Sequence, residues 1–208
     1  MKDVKEFKVL NLYAGLGGNR KLWEGLKVTA VEINPEIAIL YQNRFLQDKV
    51  IIGDAHKYLI DHLYDDWDFI WASPPCPSHS HARHRFVLAK KFKPIYPAME
   101  LYQEIILLQS SCKCLWVIEN VKPYYEPLIK PTLIAGRHTF WANFKIDPYG
   151  KETDAINISK VKKGAFGFNH SKVQYIRNLV NPEIGLHILD CAMNKKRNEW
   201  ERTPLFKL

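Results

Sequence analysis

Short apolar runs alternate with amphipathic segments along the first 120 residues of the chain. Runs rich in Val, Ile, Leu and aromatic residues predict β-strands at 7–13, 28–33, 49–52, 67–72 and 115–118. Helical patterns predict a short helix at 19–25 and longer helices at 36–45 and 98–110. Such alternation is typical of βαβ units. We therefore expect an α/β fold with a mostly parallel central sheet flanked by helices.

The regular alternation fades after residue 121. An extended strand is expected at 139–146, and a final helix at 182–193, because Pro182 suits a first helical turn. The basic tail that follows is expected to be partly mobile. A Pro-, His- and Lys-rich stretch between residues 73 and 97 is predicted as a long loop, and loops of this length usually carry function.

Composition narrows the class of protein. With 208 residues, 47% of them hydrophobic, the chain can bury a sizeable core, so disorder is excluded and a single domain is expected. The net charge of +8 is concentrated in two acid-free segments, 69–99 and 155–182, each with five Lys or Arg residues. Two local basic surfaces favour a nucleic-acid partner over the alternative of a solvated lysine-rich face.

Cysteine and histidine spacing gives no sign of a metal site or a disulfide framework. None of the four cysteines forms a CxxC pair. His79, His81 and His84 follow Cys76 closely and raise a metal-site or nuclease alternative, but their spacing matches no common zinc pattern. No signal peptide and no apolar run near ~18 residues is found, so we expect a reducing cytoplasmic location without membrane insertion.

Candidate ligand-binding residues follow the first three predicted strands. The first strand runs into a glycine-rich turn, residues 11–18, where glycines allow a ligand to approach the backbone closely. Glu32 ends the second strand, where an acid can accept hydrogen bonds from ribose hydroxyls. Asp54 follows the third and suits an adenine amino group, although it equally suits an N-cap. These features converge on the crevice where open α/β sheets bind ligands.

A candidate reactive group follows the fourth predicted strand. Ser73, Pro74, Pro75 and Cys76 form a turn whose prolines fix the backbone, and a positioned thiol of lowered pKa is a nucleophile. An inert buried cysteine is the alternative. The fifth strand runs into Glu119-Asn120-Val121, which brings a carboxyl group to the neighbouring strand end.

This ordered set resembles the DNA cytosine-5 methyltransferase family over roughly residues 7–146. The glycine-rich turn is similar to the family's first motif, Glu32 to its second and Asp54 to its third. Ser73-Pro74-Pro75-Cys76 resembles the catalytic Pro-Cys motif, and Glu119-Asn120-Val121 the Glu-Asn-Val motif. Adenine-N6 and cytosine-N4 enzymes carry an aromatic residue after Pro-Pro, so Cys76 argues against them. The resemblance implies a Rossmann-like methyltransferase fold that uses S-adenosylmethionine, releases S-adenosylhomocysteine and needs no metal.

The resemblance implies covalent catalysis on a flipped-out cytosine. Cys76 would add to C6 and Glu119 would bind the N3 edge, while Arg137 in Gly136-Arg137-His138 would contact O2 or a phosphate. Contacts with the cytosine are expected at Ser73, Pro75, Asn120 and Val121. Asn178 and Val180 resemble the Asn-x-Val-x-Pro motif that closes the cofactor pocket. The expected cofactor-binding residues are Tyr13, Ala14, Gly15, Gly17, Gly18, Glu32, Ile33, Asp54, Ala55, Pro74, Asn178 and Val180.

Four departures from the family pattern stand out. Asn11 and Tyr13 replace the more common Asp and Phe, and Arg177 stands where glycine is usual. A reduced basic insertion at 147–176 replaces the target-recognition domain within a single catalytic domain, 1–208. We therefore expect short or low sequence specificity, or a separate recognition subunit. Backbone contacts are expected from Arg83, Arg85, Lys90, Lys91 and Lys93 in a mobile loop, and from Lys162 and Lys163.

Duplex DNA is the favoured partner, in a prokaryotic or phage-infected cell. One branch of the family methylates transfer RNA, so folded RNA and single strands stay open as substrates. A cofactor-binding or DNA-binding pseudoenzyme that needs a partner is a further alternative, against which the intact Cys76 and Glu119 pair argues.

Overall fold

A computed structural model describes residues 6–150 and 178–202 of the protein. The strands are β1 (Phe7–Leu12), β2 (Leu26–Glu32), β3 (Lys49–Ile52), β4 (Phe69–Ala72), β5 (Leu115–Val121), β6 (Leu133–Ala135) and β7 (His138–Ala142). The helices are α1 (Pro35–Arg44), α2 (Ala55–Asp61), α3 (His81–Leu88), α4 (Glu100–Ser111) and α5 (Pro182–Arg202).

The seven strands form one sheet in the order β3-β2-β1-β4-β5-β7-β6. The first five strands in the chain pair in parallel, whereas β7 is antiparallel to both β5 and β6. The predicted α/β class with a mostly parallel sheet is thus confirmed. The strand order reverses at β1, between β2 and β4, and the carboxyl ends beside this reversal form the crevice where such sheets bind ligands.

Alternating residues of the central strands build a core on each face of the sheet. On one face Val9, Trp71 and Phe140 pack with Ile184 and Ile188 of α5. On the other face a second cluster joins the strands to α2 and α4, through residues that include Leu10, Ile70, Ile118, Leu59 and Ile105. The two apolar layers hold the strand ends in fixed positions relative to one another.

The predicted helix at 19–25 is wrong: the segment forms turns. Its polar side chains bond to distant residues, since Asn19 donates to the Oδ1 of Asn11 at 2.9 Å and Arg20 forms two 2.9 Å hydrogen bonds with the Asp48 carboxylate. Gly25 lies at φ +66°, a left-handed conformation that ends any helix there. Tertiary contacts therefore override the local helical pattern.

The predicted long loop after Cys76 is also partly wrong, because it contains α3. Ser80 caps this helix by accepting a hydrogen bond from the backbone N–H of Ala82 at 3.2 Å. Helix α5 continues to Arg202, so residues 194–202 of the supposed mobile tail are helical. The strand expected at 139–146 ends at Ala142, and β6 was not predicted.

Other element bounds differ by a few residues from the expectation. Strand β4 begins at Phe69, β5 continues to Val121, and α4 starts at Glu100. Most of the expected insertion at 147–176, with Lys162 and Lys163, lies outside the described residues. Every helix within the described part of the chain is too short or too polar to span a membrane.

Candidate active site

The glycine-rich turn is held against the end of β2 by Glu32. The Glu32 carboxylate accepts hydrogen bonds from the backbone N–H of Gly15 and of Asn34, both at 2.9 Å. Tyr13 and Gly15 both lie at φ +55°, so the turn exits β1 through left-handed backbone. Tyr13 is one of only two described non-glycine residues with positive φ. Glu32 therefore fixes the turn, and the same residue lines a neighbouring cavity.

A cavity of about 360 Å³ lies beside this turn, a volume within the ~300–1,000 Å³ typical of small-molecule sites. Six predicted cofactor-binding residues line it, namely Tyr13, Glu32, Ile33, Asp54, Ala55 and Pro74. Pro75, expected at the substrate, also lines it. Sequence reasoning missed His56, Ala98, Glu100 and Leu101. The start of α4 at the same sheet edge was the available signal for the last three.

Asp54 shows that its two sequence interpretations are compatible. Its Oδ1 accepts the backbone N–H of Lys57 at 3.0 Å and caps α2. The same side chain lines the cavity. One carboxylate oxygen can thus cap the helix while the other remains available to a ligand.

Other predicted cofactor residues serve as close-packing contacts outside the cavity lining. Ala14 donates its backbone N–H to the carbonyl of Val31 at 3.0 Å. A Cβ on Gly17, at φ +77°, would lie 2.3 Å from the Phe45 ring. A Cβ on Gly18 would lie 2.7 Å from the carbonyl oxygen of Val180. The glycines thus let α1 and the segment before α5 approach the turn, while Asn178 lies exposed at the start of that segment.

A buried carboxyl group supports the cavity wall from α4. Glu104 is fully buried, and its Oε1 accepts a hydrogen bond from the Tyr13 hydroxyl and contacts His56 Nδ1 at 3.0 Å. Its Oε2 has no hydrogen-bond partner among the described residues. Burial raises the pKa of Glu104, and the contacts with Tyr13 and His56 oppose that rise. Glu104 therefore links two residues that line the cavity.

Asn120 fixes the turn that carries Cys76. Its side-chain amide donates to the carbonyl of Pro74 at 2.9 Å, and its Oδ1 accepts the backbone N–H of Val121 at 2.9 Å. Ser73 accepts a hydrogen bond from the Trp71 indole at 2.9 Å. The end of β5 thus determines where the thiol of the neighbouring strand lies.

Cys76, Glu119 and Arg137 interact electrostatically at the ends of β4, β5 and before β7. Burial and the Glu119 carboxylate raise the pKa of Cys76 to about 11, while Arg137 opposes the rise. Burial raises the pKa of Glu119 to about 7, against a hydrogen bond from Ser73 and the charge of Arg137. Arg137 also donates to the carbonyl of Leu179 at 3.0 Å, which ties it to the segment before α5. The structure brings the three predicted catalytic residues together.

His138 is a buried neighbour that sequence reasoning did not single out as functional. Its Nε2 lies 3.6 Å from Glu119 Oε1. Burial and the charge of Arg137 lower its pKa to about 3, so the imidazole is neutral near pH 7. The contact with Glu119 is therefore not an ion pair.

The basic residues after Cys76 divide into two groups. Arg83 and His84 on α3 are half-buried against the segment that follows β5. Arg85, Lys90 and Lys91 are exposed, and the Lys91 ammonium lies 6.0 Å from the Phe86 ring centroid. Among described residues, no cluster of three or more His, Cys, Asp or Glu side chains is arranged to hold a metal.

Residues 7–127 match the family model of C-5 cytosine-specific DNA methylases. The chain belongs to this family. The match covers the glycine-rich turn, the residues that line the cavity, and the Pro-Cys and Glu-Asn-Val motifs, and it ends before Arg137. No curated protein matches the sequence.

Solved structures match parts of the chain at low identity. A hypothetical protein of Thermus thermophilus has 19% identity and a TM-score of 0.46, covering 66% of this chain and 74% of that one. An S-adenosylmethionine-dependent methyltransferase of Agrobacterium tumefaciens has 14% identity and a TM-score of 0.40, covering 59% and 41%. A DNMT2 variant of Spodoptera frugiperda has 22% identity and a TM-score of 0.39, covering 56% and 36%. The chain thus spans less than half of each of the last two proteins.

Proposed function

We propose that the protein transfers a methyl group from S-adenosylmethionine to C5 of a flipped-out cytosine in DNA. The observation that carries the proposal is the convergence of Cys76, Glu119 and Arg137 beside the 360 Å³ cavity. Family membership supports cytosine C5 as the reacting atom and DNA as the polymer.

The cavity residues fit S-adenosylmethionine. Glu32 is placed to accept hydrogen bonds from ribose hydroxyls, Asp54 from the adenine amino group, and Ile33 offers an apolar face. Carboxylates on the wall, including Glu100, also suit a ligand with a positive charge. When bound, S-adenosylmethionine supplies an electrophilic methyl group on a cationic sulfur.

Protonation of Glu119 is the proposed link between the thiol and the base. In the free protein the Cys76 pKa of about 11 keeps the thiol neutral near pH 7, and the Glu119 charge is one cause. A protonated Glu119 removes that unfavourable charge and donates a hydrogen bond to cytosine N3. Because its own pKa is about 7, Glu119 can carry this proton at neutral pH.

The chemistry then follows from covalent addition. The Cys76 sulfur forms a bond to C6 as its proton passes to solvent, and Glu119 donates its proton to N3, which receives the displaced electron pair. C5, now electron-rich, would take the methyl group, and S-adenosylhomocysteine would be the leaving group. Loss of the C5 proton to solvent and cleavage of the C6–S bond then release the base, while the N3 proton returns to Glu119 and solvent reprotonates the Cys76 thiolate. Arg137 would hold O2 of the base or a phosphate during these steps.

The target base must leave the duplex stack, which costs a few kcal/mol. We propose that the flipped base is received beside Cys76 by Ser73, Pro75, Asn120 and Val121. The exposed Arg85, Lys90 and Lys91 are proposed to bind the nucleic-acid backbone, so affinity should fall as salt rises, and the half-buried Arg83 is proposed as a further substrate contact. We further propose that the chain is a single catalytic domain with a reduced recognition segment at 147–176, in which Lys162 and Lys163 make additional backbone contacts.

Methyl transfer to duplex DNA, single-stranded DNA and transfer RNA tests the proposal directly. Labelled S-adenosylmethionine and digestion to nucleosides should give label in 5-methylcytosine from DNA. Cys76→Ala should abolish transfer but retain cofactor binding, whereas Glu32→Ala should weaken cofactor binding. Cys112→Ala, at the end of α4 remote from the cavity, is the matched cysteine control and should retain transfer.

Two outcomes would replace the proposal. Greater transfer to transfer RNA than to either DNA would make the protein an RNA methyltransferase. Cofactor binding without transfer to any of the three polymers would make it a pseudoenzyme or a catalytic subunit that needs a recognition partner.

A further inference from the structure

A second cavity of about 170 Å³ lies between α3 and the segment that follows β5. Its first lining residue in the sequence, Ser78, lies two positions after Cys76. Among the described residues, none lines both this cavity and the 360 Å³ cavity. Its lining consists of Ser78, Arg83, His84, Val87, Pro94, Ile95 and Tyr124. We call it the α3 cleft.

The walls of the α3 cleft combine flat apolar surface with hydrogen-bond donors. The rings of His84 and Tyr124 stack with centroids 4.1 Å apart and an interplanar angle of 5°. Arg83 donates to the carbonyl of Lys93 at 3.2 Å, while its buried Nε has no hydrogen-bond partner among the described residues. A buried N–H without an acceptor is costly, so a ligand acceptor there would be favoured.

Hydrogen bonds hold the segments that form the α3 cleft together. Ser80 forms a β-bridge with Pro123, and the backbone N–H of Tyr124 donates to the carbonyl of His79 at 3.1 Å. Ser78 Oγ accepts the backbone N–H of Ala98 at 2.9 Å. Its walls thus have fixed positions relative to the turn that carries Cys76.

A nucleobase is the ligand that these walls match. None of the described lining residues carries a carboxylate, and the surrounding segment 69–99 is free of acids and carries five cations, which suits a polyanionic strand. The stacked faces of His84 and Tyr124 cover each other, so a base would stack on the outer face of this ring pair, and the acceptor atoms on its edge suit the Arg83 guanidinium. A phosphate alone would leave the apolar Val87, Pro94 and Ile95 surface unused.

We propose that the α3 cleft holds the nucleobase next to the target cytosine on the same strand, and so gives the protein a preference for one neighbouring base. The proposal rests on the proposed function, because it needs a cytosine at Cys76. The proposal places base recognition in the segment that follows Cys76 and in Tyr124.

Short DNA strands with a single cytosine test the proposal. The base on the 5′ side, and separately on the 3′ side, is varied among the four bases and an abasic site. Both kcat/KM for 5-methylcytosine formation and the Kd from fluorescence anisotropy are measured. One good base contact typically discriminates by about tenfold or more, so we expect about a tenfold preference on one side only, with the abasic strand the poorest substrate and ligand.

Arg83 and Arg85 provide a matched pair on one helix. Arg83→Ala should abolish the preference for one neighbouring base in kcat/KM and Kd. Arg85→Ala removes an exposed charge outside the cleft, so it should weaken the binding of all strands equally. Arg83→Lys keeps the charge but loses the planar guanidinium and should also flatten the preference, which guards against misfolding of the alanine variant. Tyr124→Phe should keep the preference, and Tyr124→Ala should lose it.

The outcomes separate this proposal from the proposed function. Efficient methylation with no dependence on either neighbour would overturn the cleft assignment and leave the methyltransferase intact. Absence of 5-methylcytosine on every strand would overturn the proposed function. In that case neighbour-independent Kd values, or equal effects of Arg83→Ala and Arg85→Ala on Kd, would overturn the cleft as well.

Discussion

Glu119→Gln should make the protein more stable at pH 8 while removing a proposed catalytic group. Glu119 is 6% exposed, and burial raises its pKa from an ordinary 4.5 to about 7. Below pH 4.5 the carboxyl is neutral in both folded and unfolded states. As pH rises toward 7 the unfolded chain loses the proton first, so stability falls and the loss is complete above the folded pKa.

The size of this effect follows from the two pKa values. The difference between 4.5 and about 7, at about 1.4 kcal/mol per pH unit, amounts to about 3 kcal/mol. Glutamine is neutral throughout and avoids this loss. For a chain of 208 residues, about 3 kcal/mol corresponds to a Tm higher by roughly 6–12 °C at pH 8.

Thermal and urea unfolding of both proteins between pH 4 and pH 8.5 measures the difference. The pKa of His138 is lowered from 6.5 to about 3, so below pH 6.5 the unfolded chain takes up a proton that the folded protein does not, and both proteins lose stability. Subtraction of the two curves removes this shared contribution. Glu126→Gln, at an exposed position, is the matched control and should give a flat difference. A flat difference for Glu119→Gln, or a variant that loses relative stability as pH rises, would refute the reasoning.

Two further substitutions test tertiary contacts of the glycine-rich turn and of the cavity wall. In Gly185→Ala the new Cβ would lie 2.4 Å from the backbone carbonyl oxygen of Asn19, so the free energy of unfolding should fall by about 1–3 kcal/mol. In Gly53→Ala the new Cβ would meet only Ile51 Cγ2, at 4.0 Å, and the free energy of unfolding should change far less; equal urea midpoints for the two variants would contradict this. Tyr13→Phe removes the hydroxyl that donates to buried Glu104 and should cost about 1–3 kcal/mol with an unchanged m-value; an unaltered urea midpoint would show that the hydrogen bond contributes nothing.

The strands could be predicted because their signal is local. Buried parallel strands are nearly continuous apolar runs. The residues at their carboxyl ends meet at one edge of the sheet, independently of the conformation of the connecting loops. Glu32, Asp54, Cys76 and Glu119 were found in this way, and the structure places them around the crevice.

The elements that were predicted incorrectly depend on contacts between residues distant in the sequence. The turn at 19–25 is set by the Arg20 pairing with Asp48, 28 positions away, and α3 packs through His84 on Tyr124, 40 positions away. Ser80 was the available local signal for α3, since serine is a preferred N-cap. The role of Glu104 could not be found from sequence, because only the folded chain brings it to Tyr13.

The bond between Arg137 and the Leu179 carbonyl has a consequence for the order in which the protein is made. All strands of the described sheet are synthesised by Ala142, yet the carbonyl that holds Arg137 and the Val180 backbone that packs on Gly18 come later in the chain. A nascent chain that ends near residue 150 therefore lacks both the contact that holds Arg137 and the helix that covers one face of the sheet. The site around Cys76 is complete only when residues 179–188 have been made, so we expect shorter chains to lack the proposed methyl transfer.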